Sequence, residues 1–101
     1  MTIAYITCKD RKEAEKISIR LLRKKYIACA NIFPISSMFW WKGRIEKSRE
    51  FAIVAKSSDM NFDKLVREVL RIHSYEIPCI LKISSKANDG FDEWVNGVIE
   101  N

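Results

Sequence analysis

Few side chains in this 101-residue chain are suited to chemistry. His73 is the only histidine, and the three cysteines, Cys8, Cys29 and Cys79, are widely spaced. Imidazole nitrogen and thiolate sulfur are donors for borderline and soft transition metals. One imidazole cannot make a histidine pair, and no Cys-x-x-Cys is present, so the zinc patterns and the metallochaperone pattern are both missing. A metal site would have to combine His73 with Cys8 or Cys29, or use three symmetry copies of one residue. The alternative is a satisfied, half-buried His73 at an apolar helix end and a Cys29 that acts as a small core residue. Lys56, Tyr75 and Glu76 are polar residues at strand and loop ends. A small anionic ligand could use Lys56, with Tyr75 and Glu76 orienting it. The same residues equally admit a structural ion pair between Lys56 and Glu76. No nucleophile–base arrangement is visible, and glycine occurs only at 43, 90 and 97, so there is no phosphate-cradling loop and catalysis has no support.

These residues are positioned by elements with clear periodicity. Residues 2–8 are apolar on both alternating faces, Ile3, Tyr5 and Thr7 on one and Ala4, Ile6 and Cys8 on the other, which predicts a central strand buried on both sides. Asp10 with Glu13 reads as a capping box opening a helix that runs to about Lys25, with Ala14, Ile17, Leu21 and Leu22 as its inner stripe. Two long strands follow, about 28–41 and 44–57, joined by Lys42-Gly43 as a two-residue turn. Pro34 interrupts the first, which predicts a bulge or bend. Ser58 or Asp59 caps a second helix, whose stripe is Phe62, Leu65, Val66, Val69 and Leu70, continued by His73. A strand from Ile77 to Ser84 and a short helix from Asn88-Asp89-Gly90, carrying Phe91, Trp94, Val95 and Val98, complete the chain. The order β-α-β-β-α-β plus one helix predicts an α+β class, ferredoxin-like split βαβ fold, a single domain over 1–101 with a four-stranded antiparallel sheet and a long β2–β3 hairpin.

That hairpin outgrows its own domain. A fourteen-residue arm spans about 45 Å at roughly 3.3 Å per residue, whereas a 100-residue body is roughly 34 Å across, given a radius of gyration of about 13 Å. An isolated ribbon is marginal in water, and its tip carries Phe39 together with Trp40 and Trp41, which are two of the chain's three tryptophans. Packing between copies of the chain covers both, so an obligate homo-oligomer is expected, with Phe39, Trp40 and Trp41 at the interface rather than serving as a ligand-stacking platform. A Pro34 bend that returns the arm to its own sheet is the alternative.

Composition narrows the classes further. The chain is 48% hydrophobic with a net charge of +5. Its cations are interleaved with Asp10, Glu13 and Glu15 along the first helix, the pattern of a solvated face. Met1 runs straight into a strand-like segment and no apolar run has membrane-span length, so neither a signal peptide nor a membrane span is expected. An odd cysteine count at wide spacing suits reduced thiols in a cytoplasm.

Three blocks resemble the CutA family, the divalent-cation-tolerance proteins: Ala28-Cys29-Ala30-Asn31, then Phe39-x-Trp41-x-Gly43-x-Ile45-Glu46, then His73-Ser74-Tyr75-Glu76-Ile77-Pro78. Lys56 also fits the family's pattern. The resemblance implies a ferredoxin-like homotrimer similar in architecture to PII signal proteins, which binds copper or another divalent cation and is not an enzyme. With the family's metal association beside the residue chemistry, the candidate metal ligands are His73, Cys8 and Cys29, and the candidate residues of a ligand cleft between subunits are Asn31, Trp41, Lys56, Tyr75 and Glu76. A PII-like small-ligand sensor is the second reading. The chain departs from the family pattern at Ser74, where the family carries proline. It also departs at Ile6, the position aligned with a proposed copper-ligand cysteine, with Cys8 two residues on and facing the same way.

The same element order serves RNA-recognition motifs. Arg49-Glu50-Phe51-Ala52-Ile53-Val54 is a poor match to their signature, with Glu50 in place of glycine and Ile53 in place of a stacking aromatic. Tyr5 is the one partner available to Phe51, and no nucleic-acid partner is expected.

Overall fold

The computed structural model describes residues 1–99. The elements are β1 (Thr2–Cys8), α1 (Arg11–Arg23), β2 (Cys29–Trp41), β3 (Arg44–Ser57), α2 (Asp59–Ile72), β4 (Ile80–Ser84) and α3 (Asp89–Ile99). The strands form one sheet in the order β2-β3-β1-β4, antiparallel at every pairing. This is the ferredoxin-like split βαβ arrangement expected from the element order, with β3 inserted between β1 and β2.

One face of the sheet makes the core. Ala4, Ile6 and Cys8 of β1 pair across to Ala55, Ile53 and Phe51 of β3. Helices α1 and α2 cover them with Ala14, Ile17, Leu21, Leu65 and Val69, all fully buried. The helical stripes are narrower than the sequence suggested. Leu22 and Leu70 are exposed, because each lies about 100° around its helix from a core residue, Leu21 or Val69. β1 is also buried on one side only. Its other face, Ile3, Tyr5 and Thr7, is half-buried, and the neighbouring Phe33, Leu81 and Ile83 are exposed.

Local signals explain the boundaries. The Asp10 carboxylate accepts the Glu13 N–H at 2.8 Å and caps α1, while Glu13 reaches the Lys9 N–H rather than that of Asp10, so only half of the capping box forms. Ser58, not Asp59, caps α2. Pro34 makes no bulge: the β2–β3 register is unbroken from Cys29 to Trp41. β2 is an edge strand, where a missing N–H costs no ladder bond if it faces outward. β4 starts at Ile80 rather than Ile77, and Ile77 is exposed. In α3, Val95 and Ile99 are buried, while Trp94 is exposed.

The hairpin turn has Lys42 at φ 50° and Gly43 at φ 80°, the left-handed pair of a type I′ turn that matches strand twist. The chain extends 44 × 25 × 21 Å, an elongation set by the hairpin. At its end Met38 and Trp40 are each 72% exposed.

Two substitutions separate core from turn energetics. Leu65→Ala should cost about 3 kcal/mol of stability, the usual range for a fully buried leucine. Gly43→Ala should cost only about 1 kcal/mol, from its positive φ alone, since an added Cβ meets nothing within 4 Å. Urea denaturation of both variants checks this order; equal losses would contradict it.

Candidate functional site

His73 is the C-cap of α2, with extended backbone (φ −76°, ψ 143°) and its N–H on the Val69 carbonyl. The apolar stripe of α2 carries its side chain inward until it is 0% exposed. There the ring meets two backbone groups of fixed polarity. Nε2 lies 2.8 Å from the Thr7 carbonyl oxygen. Nδ1 lies 3.0 Å from the Tyr75 nitrogen, whose N–H can only donate. The tautomer that satisfies both carries its proton on Nε2 and leaves a lone pair on Nδ1.

Glu13, buried in the first turn of α1, faces this ring. Its Oε1 accepts the Lys9 N–H at 3.1 Å, and its Oε2 accepts the Ser74 N–H at 2.8 Å. Oε2 is also 3.8 Å from His73 Nδ1. Burial opposes ionisation of this carboxyl, but the Lys9 and Ser74 hydrogen bonds, with His73 nearby, outweigh it and hold the group below its ordinary range. The buried Cys8 thiol completes the cluster, and the ligand atoms of Cys8, Glu13 and His73 all lie within 4.8 Å of one another. Burial first, then the negative charges of Glu13, Glu50 and Asp10, push the Cys8 thiol up to about 12. Thiol, carboxylate and imidazole around one point are the donor set of a borderline divalent ion. The Nε2–H bond to a backbone carbonyl is the usual way a ligating imidazole is oriented. The residues therefore fit a cation, in exchange for the Cys8 proton and the hydrogen bond to Nδ1.

Beside the cluster, on the sheet face away from the helices, lies an open groove of about 790 Å³. Trp41, Phe39, Tyr75, Glu76, Thr7 and Cys79 are among the residues that line it. Tyr75 Oη donates to Glu50 Oε2 at 2.5 Å. Burial, followed by that carboxylate, raises the Tyr75 hydroxyl above its ordinary range and keeps it a donor.

The fold thus unites some expected site residues and separates others. Cys8 and His73 come together. Cys29 does not join them, because it pairs with Lys56 while Cys8 pairs with Phe51, roughly 17 Å along the sheet at about 3.3 Å per residue. Trp41, Tyr75 and Glu76 share the groove, with Phe39 and Trp40 on its hairpin wall. Asn31 and Lys56 lie beyond it within one chain, bonded to each other through Lys56 Nζ and Asn31 Oδ1. Among the described residues no ion pair joins Lys56 to Glu76. Phe51 and Tyr5 lie on opposite faces of the sheet, since Phe51 shares the face of Cys8, so they cannot form one base-stacking surface. Glu13 and Glu50 carry no site signal in the sequence. The Asp10–Glu13 spacing marked Glu13 as a cap only, and its bond to Ser74, 61 positions on, has no local signature.

Glu13 should show itself in acid. A carboxyl whose folded pKa is depressed stabilises the fold above its ordinary value of 4.5, and the contribution is lost as pH falls through the folded value. Stability measured across that range should fall more steeply in the wild type than in Glu13→Gln. Parallel curves would contradict the assignment.

Among the described residues no helix is long and apolar enough to cross a membrane. Residues 2–98 match the family model described as CutA1 divalent ion tolerance protein. The divalent-cation tolerance protein CutA of Archaeoglobus fulgidus is 44% identical over 97 residues, covering 95% of each chain. A solved structure from that organism, described as the periplasmic divalent cation tolerance protein CutA, superposes with a TM-score of 0.96 at 43% identity, over 99% of this chain and 100% of its own. The PII-like protein CutA from Nostoc superposes with a TM-score of 0.91 over 99% of this chain and 98% of its own; at 24% identity it shares the fold. Fold, motif blocks and these matches together make this chain a member of the CutA1 divalent ion tolerance family.

Proposed function

We propose that this protein is a homotrimeric divalent-cation-binding module of cation tolerance, acting by binding and signalling rather than by catalysis. The observation that carries the reading is the convergence of Cys8, Glu13 and His73, three donors from β1, α1 and the end of α2, around one point. Copper is the first candidate among divalent ions, since imidazole and thiolate both suit it. The cation is cargo: His73 and Cys8 capture it, and Cys29, distant within one chain, is left out of the donor set. Assembly is supported by the exposed hairpin end around Phe39, Trp40 and Trp41 and by the uncovered apolar sheet face. Three free cysteines suit a cytoplasmic setting for the single domain.

The groove favours a second reading, a PII-like sensor of a small organic ligand. Its aromatic walls and the Tyr75–Glu50 pair offer stacking and hydrogen bonding. Lys56 and Asn31 of a neighbouring copy would supply the cationic side of such a cleft. Thermal stabilisation by an organic ligand rather than by a cation separates the two.

Native mass spectrometry with and without copper tests the main reading. A trimer with about one ion per chain is expected, and His73→Ala should weaken uptake at least about tenfold. Because binding displaces the Cys8 proton, affinity should rise about tenfold per pH unit through neutrality. A monomer, or uptake indifferent to pH and to His73, would contradict it.

A further inference from the structure

We infer that Glu13 is the third donor of the cation site and that the backbone N–H of Ser74 sets how tightly the site holds its ion. The inference rests on the cation reading above and deepens it, by naming the ion class and the group that restrains the site.

A thiolate and an imidazole alone suit a monovalent soft ion as well as a divalent one. A carboxylate changes that balance. With the Cys8 thiolate it brings two negative charges and a hard oxygen to the site, which favours Zn²⁺ or Cu²⁺ over Cu⁺. Glu13 is the carboxylate in place. Its Oε2 is the oxygen that faces His73 Nδ1, at 3.8 Å. Nδ1 is also the ring atom with a lone pair, because Nε2–H is committed to Thr7. The two atoms that would meet an ion therefore already face each other.

Each is held by a backbone N–H from one short segment. Tyr75 N–H occupies Nδ1, and Ser74 N–H occupies Oε2 at 2.8 Å. A charge-assisted hydrogen bond withdraws electron density from the oxygen and turns it towards the backbone. Uptake of a divalent ion releases the Cys8 proton to solvent and draws on both bonds. Proline at position 74 removes what Ser74 offers Glu13, the N–H and the hydroxyl together, and leaves the Tyr75 side chain on Glu50. His73, at φ −76° and ψ 143°, already has the extended backbone that a residue before proline requires. Ser74→Pro thus frees Oε2 without altering the side chains of Cys8, Glu13 and His73.

Zn²⁺, which spares the thiol from oxidation, is the probe, with affinity read by competition against a chromophoric chelator. Co²⁺ absorption reports whether sulfur is a ligand. The full-length wild-type protein should bind Zn²⁺ through Cys8 and His73. Glu13→Gln should weaken binding by about tenfold, and Ser74→Pro should tighten it by about fivefold. In the double variant the gain from proline should vanish, the non-additivity of two groups acting on one bond. Wild-type binding that depends on Cys8 and His73, with no loss in Glu13→Gln or no gain in Ser74→Pro, would overturn the inference and leave the cation reading standing. Binding of Zn²⁺ that ignores Cys8 and His73, or no binding, would overturn both.

Discussion

A carboxylate taken out of water must find donors to remain charged, and the arrangement around Glu13 follows from that requirement. Its two oxygens accept N–H groups from Lys9, at the end of β1, and from Ser74, just past the end of α2. One side chain thereby ties the start of α1 to the segment that follows α2. The same segment carries His73 inward and lays Tyr75 against Glu50 on the other side of the sheet. The Cys8–Glu13–His73 cluster and the groove are two sides of this joint: Thr7 accepts from His73 through its carbonyl and also lines the groove.

A second constraint is geometric. β2 and β3 run 13 and 14 residues, far beyond the usual strand length, and carry exposed Met38, Trp40 and Ile45 past the body of the domain. The sheet face away from the helices stays apolar and uncovered through Phe33, Leu81 and Ile83. Surfaces of this kind mark places where another surface packs. The residues that look anomalous in one chain, including Leu70 and Ile77, are the ones an assembly would absorb.

Local patterns in the sequence carried most of the fold. The strand over residues 2–8, the stripe through Leu65 and Val69, the Lys42-Gly43 turn and the element order each depend on spacings of a few residues, and all are realised, although β1 is buried on one face rather than two. The errors come from information that spacing does not hold. Whether Leu22 joins the core depends on how wide the facing sheet is, and whether Pro34 needs a bulge depends on β2 being at the edge. The candidate cluster was half legible. His73 and Cys8 stand out by residue type, and their meeting follows once α2 is docked with its stripe inward. Glu13 was masked by its other role as a helix-start residue, and the partners of Lys56 and Cys29 are set by strand register. A one-residue change in that register would send them to the opposite face.

X-ray absorption spectroscopy of the Zn²⁺-loaded protein tests the donor set most directly. The expected spectrum has one sulfur at about 2.3 Å, from Cys8, together with nitrogen and oxygen donors at about 2.0–2.1 Å from His73 and Glu13. A first shell with no sulfur, or one without imidazole scattering, would contradict a cation site at the Cys8–Glu13–His73 cluster.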